Sequence, residues 1–467
     1  MFKSRKHLVI FCSVLLLGFV LLFSLLAPQF GNSNQSTSVN NPSALYETAA
    51  EALFDIHNVQ MLVHTQEIIK TKENTIQTAS TQTVTHINQD SDDWQLYATE
   101  ITNIGQHYWE TSTILYGQTL YYTLNGVKFT GSCDIEALSR QYPPTIVLDP
   151  NLYKNITGIQ IGRSRLVFFS EPIQQENWAV TSSADFLDAR GIAWINSKGE
   201  LTKSTYSFSY RMGELTCYKS VTVQIIDQDP YPIVTPVDTE AYQLLNDPLL
   251  PMELETTCGY LLQAQNIESN YVNQITCELF GDTRLQNTDI VIKSRTDDPD
   301  IEMATTVNIT NSSREGEVIS SSQIQQYSAG SYSLQLNSDT AVITEGASSQ
   351  ELLTSCQETL VGTILLPQHI KCANSSYSGN VYRIEFTATD EFAQKIISDA
   401  CTYLYDDPEL LDKLSPEHHI DSILCYIEFS MESGLPIKSG IHFLGTYYSS
   451  NLPYQLIFKS DQTYYIP

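Results

Sequence analysis

Trp194-Ile-Asn-Ser-Lys-Gly-Glu-Leu-Thr-Lys-Ser-Thr-Tyr-Ser-Phe-Ser-Tyr210 is the stretch on which the fold reading turns. At its end Tyr206, Phe208 and Tyr210 alternate with Thr205, Ser207 and Ser209. Period two marks a strand with one apolar face and one hydroxyl-rich face. Lys219, Val221, Val223 and Ile225 repeat the pattern, as do Tyr332, Leu334 and Leu336. Such strands belong to antiparallel sheets covered on one side and wet on the other. Asn125-Gly126, between two apolar runs, predicts a tight hairpin.

The same stretch has a second copy. Trp194, Gly199, Lys203 and Ser204 are matched by Phe429, Gly434, Lys438 and Ser439, all at one offset of 235. Each copy leads into an alternating strand, and each is expected to close in a strand ending in proline, Tyr231–Pro236 and Tyr464–Pro467. A repeat of this length predicts a duplicated domain rather than a solenoid. Helices are few. Ser43 is expected to cap a helix over 43–56, whose Leu45, Ala49, Leu53 and Ile56 share a face. Thr389 is expected to cap one over 389–405, with Asp390 and Glu391 in its first turn. The class is α+β, mostly β.

Residues 8–27 contain no charged side chain. Twenty helical residues span about 30 Å, the thickness of a bilayer's hydrocarbon core. Lys3, Arg5 and Lys6 precede the run and no acid appears before Glu47, so the N-terminus is expected to stay cytoplasmic and the remainder to lie outside. The expected layout is a stub and signal anchor over 1–30, a polar linker over 31–43, a first domain over 44–247 and a second over 248–467; cleavage of the signal would make the chain secreted. Of 467 residues, 25 are Lys or Arg and 53 are Asp or Glu, a formal charge of -28. With no basic run beyond residue 7, a nucleic-acid binder is excluded on electrostatic grounds.

A leading helix, paired strands, a W-x-x-x-x-G-x-x-x-K turn and a closing strand ending in Ile-x-x-Pro together resemble Gram-positive surface lipoproteins whose fold is similar to the carrier LolA and the mycobacterial LppX group. The resemblance covers Ser43 to Pro467 as two copies. It implies two tandem curved antiparallel sheets, each an unclosed barrel with plugging helices, and an apolar cavity that takes a lipid or another apolar ligand. One departure is the anchor, here a helix rather than a lipidated cysteine. The resemblance assigns no individual site residue.

Eight of the nine cysteines follow the apolar run. Outside the cell they permit disulfides, and Cys258, Cys277, Cys356, Cys372, Cys401 and Cys425 are the candidates, taken as neighbouring pairs. Glu417-His418-His419-Ile420-Asp421 is the nearest approach to a metal motif, but adjacent histidines point apart, and an exposed loop is expected there. Asp90–Asp93 and Asp297–Asp300 read as solvated turns, without the glycine and distal glutamate of a calcium loop. No nucleophile elbow, zinc-protease or phosphate-loop motif occurs. The sequence therefore reads as a non-enzymatic, extracytoplasmic ligand-binding protein without cofactor or metal. The alternatives are an envelope interaction or sensor module without ligand, and a cell-wall glycan binder or hydrolase working through carboxylates and exposed tyrosines.

Overall fold

The computed structural model describes residues 37–467 except 55, 57, 89–92, 133–134, 143–149, 174–184, 229, 235, 237, 279–281, 294–302, 314–315, 330–331, 338–340, 346–363, 406–417 and 450–451. The expected membrane segment over 8–27 lies outside the described residues, as do residues 31–36 of the linker and the acidic turn 297–300. Among the described residues no helix is long and apolar enough to cross a membrane.

The first part of the chain forms β1 (Thr37–Ser38), α1 (Pro42–Phe54), β2 (Val59–Lys70), β3 (Thr75–Ile87), β4 (Gln95–Ile104), β5 (His107–Tyr116), β6 (Thr119–Leu124) and β7 (Val127–Ser132). There follow α2 (Ile135–Gln141), β8 (Tyr153–Ile161), β9 (Ser164–Pro172), β10 (Asp185–Ile195), β11 (Leu201–Met212), β12 (Leu215–Asp227) and β13 (Gln243–Leu244). Next come α3 (Met252–Gln263), β14 (Asn266–Cys277), β15 (Asp282–Lys293), β16 (Met303–Ser313), β17 (Val318–Ala329), β18 (Tyr332–Asn337) and β19 (Ala341–Glu345). The chain ends with β20 (Ile370–Ser378), β21 (Val381–Ala388), α4 (Asp390–Tyr405), β22 (His418–Ser430), β23 (Pro436–Ser449) and β24 (Leu452–Tyr465).

Contacts divide the chain into two compact units. The smaller draws on residues up to 55, 147–174 and 189–206; the larger draws on 56–146, 175–188 and 207–467, so β10 and β11 run through both.

In the smaller unit the strand order is β1-β8-β9-β10-β11. Helix α1 buries Tyr46, Ala49 and Leu53, and the Tyr46 ring meets Phe169 of β9 edge-on at 4.8 Å. Pro42 opens the helix, and the Asn41 side-chain oxygen accepts from the Ala44 N–H at 3.4 Å. The cap is therefore Asn41 rather than Ser43, because proline suits the first helical position and moves the cap two residues earlier. Ser43 instead donates to Glu47 at 3.0 Å.

In the larger unit the order is β11-β12-β2-β3-β4-β5-β6-β7-β13, and beside it stands a second open sheet, β19-β18-β17-β16-β15-β14-β24-β23-β22-β21-β20. Pairing is antiparallel along both sheets, whereas β13 joins β7 in parallel. The strand order repeats itself. A six-strand meander, β2–β7, has its first strand hydrogen-bonded to the last of the five that follow, β8–β12. Likewise β14–β19 are six and β20–β24 are five, with β14 against β24. The offset of 235 carries β10 onto β22 and β11 onto β23, and both turn glycines need positive φ, +90° at Gly199 and +67° at Gly434.

Two expectations are corrected. Residues 231–234 are in no strand, because Pro230 and Pro232 cannot donate to a ladder. His418 and His419 open β22 instead of lying in a loop. The hairpin at Asn125-Gly126 forms as expected, with φ of +48° and +85°, and so does the α4 cap, where the Thr389 hydroxyl accepts from the Phe392 N–H at 3.4 Å.

Alternation buries one face of each sheet. The inner side of β3–β6 packs Val84, Trp94, Leu96, Ala98, Leu115 and Leu120 under Leu138 of α2. A larger core joins Ile104, Trp109, Tyr122 and Phe129 to Leu254 and Leu261 of α3, and these to Ile275, Phe386, Ile427 and Ile441 of the second sheet.

Candidate functional site

The inner face that would hold an apolar ligand is occupied by side chains. The enclosed cavity beneath α3 measures about 10 Å³, room for about one water, and is lined by Leu254, Leu365, Phe386, Cys425, Ile427 and Ile441. Helix α3 fills the space and is pinned at both ends. Glu255 accepts from Asn125 Nδ2 at 3.2 Å and lies 2.8 Å from His107 Nε2. The Gln263 side-chain amide oxygen accepts from the Gln77 N–H at 2.7 Å. Between them Gly259 lets the helix touch β4, since a Cβ there would sit 2.8 Å from Ile104 Cβ. At the margin of this packing an open groove of about 380 Å³ is lined by Glu67, Phe208, Tyr210, Met212, Tyr260 and Met431, among others.

Helix α3 carries one carboxyl without a hydrogen-bond partner among the described residues. Burial pushes Glu253 up to about 7. The sign follows from the raised folded value. Below about pH 4.5 the group is protonated in both states and costs nothing. Between 4.5 and 7 the unfolded chain ionises first, so this group's contribution to stability falls as pH rises, and above 7 the loss is complete. Glu253→Gln is expected to stabilise the protein at pH 8 by about 2 kcal/mol, an order of magnitude already reduced for the group's partial exposure, and to change nothing at pH 4. Denaturant titrations at the two pH values check it.

The densest set of charged side chains lies on the opposite, outer face of the second sheet. Tyr426 of β22 lies flat over Gly440 of β23, where a Cβ would come within 2.4 Å of its ring. The Arg383 guanidinium stacks on that ring at 3.8 Å and also donates to Glu385 at 2.8 Å and Glu428 at 2.7 Å. The Tyr426 hydroxyl donates to Asp461, which His442 approaches at 3.1 Å and Lys438 at 3.8 Å. Burial pushes the Asp461 carboxyl up, but the hydrogen bonds from Tyr426 and His442 and the charges of His442 and Lys438 outweigh it and hold it below the usual range. Burial, then the Asp461 carboxylate, raises Tyr426 far above an ordinary phenol, which unsuits it as a base. Every cation here faces a carboxylate, so the cluster holds strands together. Gly440 inside a strand pattern was the one sequence signal for this close approach.

The sequence-nominated cysteines are dispersed. Cys258 is on α3, Cys277 ends β14, Cys372 is on β20 and Cys425 is on β22. Cys258, Cys372 and Cys425 are free thiols in the structure, where bridges were expected. Cys356 and the side chain of Cys401 lie outside the described residues. Burial pushes Cys425 up to about 12, and burial with the nearby Glu255 charge does the same for Cys258. Thiolate attack is suppressed at both. At pH 8 both are expected to resist alkylation in the folded protein and to react fully in denaturant, as peptide mass mapping would show. Among the described residues no three His, Cys, Asp or Glu side chains converge as metal ligands, and His419 stands 3.7 Å from Asp421 alone.

No family model matches the chain, and no curated protein matches it. Among solved structures the chain is similar to LprF from Mycobacterium bovis at 11% identity, over 43% of this chain and 99% of that one, with a TM-score of 0.26. An AttH-like protein from Nitrosomonas europaea is 8% identical over 93% of this chain and 98% of that one, with a TM-score of 0.15. Overlaps this small carry no argument about ligand or activity.

Proposed function

We propose that the protein is a non-enzymatic, extracytoplasmic binding module of two LolA-like open sheets, tethered by residues 8–27, which engages its partner on outer surfaces rather than by enclosing a lipid. One observation carries the reading: the enclosed space under α3 is about 10 Å³, whereas a site that encloses a ligand needs about 300 Å³ or more. To admit an acyl chain, α3 would have to surrender its contacts with His107, Asn125 and Gln77. The charge-free run behind Lys3, Arg5 and Lys6 supports the tether. The lipid-carrier reading keeps one observation in its favour, the aromatic groove of about 380 Å³ beside Tyr210 and Tyr260.

Cross-linking on intact cells of its own host, followed by purification of the full chain, tests the proposal. A stoichiometric macromolecular partner is the expected result. A co-purifying lipid in equimolar amount, with no such partner, would overturn it.

A further inference from the structure

The outer face of the first sheet is built differently from every other surface described. The pairing registers place Thr83, Thr99, Ser112 and Thr123 side by side across β3, β4, β5 and β6. Adjacent strands stand about 4.8 Å apart, so the four hydroxyls form a ladder at that spacing. All four residues are half-buried, and none makes a side-chain hydrogen bond to another described residue. Hydroxyls in the flanking rows differ in this respect. Thr81 is bonded to His64 at 3.0 Å, and Thr85 accepts from Gln60 at 3.1 Å.

The ladder is the floor of a groove of about 390 Å³, with Ile101 and Glu110 along one side. On the other side stands the row of Thr85, Tyr97 and Ile114, over which the segment Pro230–Val234 closes a second groove of about 460 Å³. Tyr97 is 38% exposed, and Tyr108, beyond Glu110 on β5, is 61% exposed. No lysine or arginine lines either groove.

We propose that this face is a binding site for a neutral glycan chain. The inference rests on the reading of the protein as a module that works through outer surfaces, and it names the ligand class. Free hydroxyls both donate and accept, which suits a ligand that is itself a row of hydroxyls. The exposed tyrosine rings offer apolar platforms for sugar faces. Glu110 accepts from a sugar hydroxyl and repels phosphate, sulfate and uronate groups, while Lys128, next to Thr123 in the register, lies over the Tyr242 ring, 5.3 Å from its centroid.

The test uses the full chain in a detergent without a sugar headgroup, applied to an array of neutral and acidic oligosaccharides, with calorimetry on any that bind. Neutral oligosaccharides are expected to bind with micromolar to millimolar affinity. Tyr97→Ala, Tyr108→Ala and the double variant Thr83→Val/Thr99→Val are each expected to weaken binding about tenfold or more, at unchanged folding by circular dichroism. Tyr377→Ala, an exposed tyrosine on β20, is expected to change nothing. Binding to acidic glycans alone, no glycan bound, or binding indifferent to the three variants would overturn the inference. A protein partner captured on cells together with an empty array removes the glycan site and leaves the outer-surface reading standing; lipid uptake removes the reading itself.

Discussion

Gly440→Ala is expected to be among the most damaging single changes in the chain. Its Cβ would lie 2.4 Å from Tyr426 Cε1 and 2.7 Å from the hydroxyl oxygen, closer than such atoms pack, and Tyr426 is only 2% exposed. The ring cannot yield outward, because the Arg383 guanidinium lies on it at 3.8 Å. Displacing it would break the hydroxyl's bond to Asp461 and leave that carboxylate with His442 and Lys438 alone of the partners named above. Overpacking alone costs about 1–3 kcal/mol, and a lost hydrogen bond to a charged group about as much again. The expected total is about 3–4 kcal/mol, read as a fall in the denaturant midpoint. Tyr426→Phe in the same background separates the terms: it should cost about 1–2 kcal/mol alone and relieve little of the clash.

Phe386→Ala should be comparably costly. Phe386 is fully buried on β21, opposite Cys425 of β22, and lines the small cavity under α3. Truncating a buried phenylalanine costs about 3–5 kcal/mol, the transfer of the ring plus the void it leaves. That void would join the existing 10 Å³, where Leu254, Ile427 and Ile441 stand beside Ser439, Ser460 and Gln462. The space vacated by the ring is apolar on most sides and takes small apolar molecules. The variant is therefore expected to be stabilised by saturating benzene, by about 1 kcal/mol or more, and the parent protein to be indifferent to it. Equal behaviour of the two would mean that the inner face is not close-packed.

How much of this could be read from the sequence depends on how local the signal is. Tyr206, Phe208 and Tyr210 declare a strand because alternation is a nearest-neighbour property, and Gly199 and Gly434 declare turns because only glycine adopts their φ freely. The cap of α1 lies two residues before Ser43, since Asn41 and Ser43 both suit the position and Pro42 decides between them. Residues 231–234 failed as a strand for a reason already visible in the sequence, the spacing of their prolines. The wedge made by α3 was not legible. Its buried side includes Thr257 and Gly259, which look polar or helix-breaking until Ile104 is seen against them. The hydroxyl ladder was half visible. Thr81, Thr83 and Thr85 alternate in the chain, but only the register brings Thr99, Ser112 and Thr123 beside them. The Arg383–Tyr426–Asp461 cluster joins four strands spread over 79 residues, and no spacing rule reaches that far.

The most direct test of the filled inner face is quenching of tryptophan fluorescence by a brominated fatty acid added to the full chain in detergent micelles. Residues 1–43 contain no tryptophan, so the anchor in its micelle contributes no signal, while Trp94 and Trp109 lie buried on the inner face of the first sheet. The expected result is no saturable quenching beyond that of the same fatty acid on the denatured protein. Saturable quenching at one fatty acid per chain, abolished when excess unlabelled fatty acid competes, would show an acyl chain lodged beneath the helices and would contradict the outer-surface mode of binding.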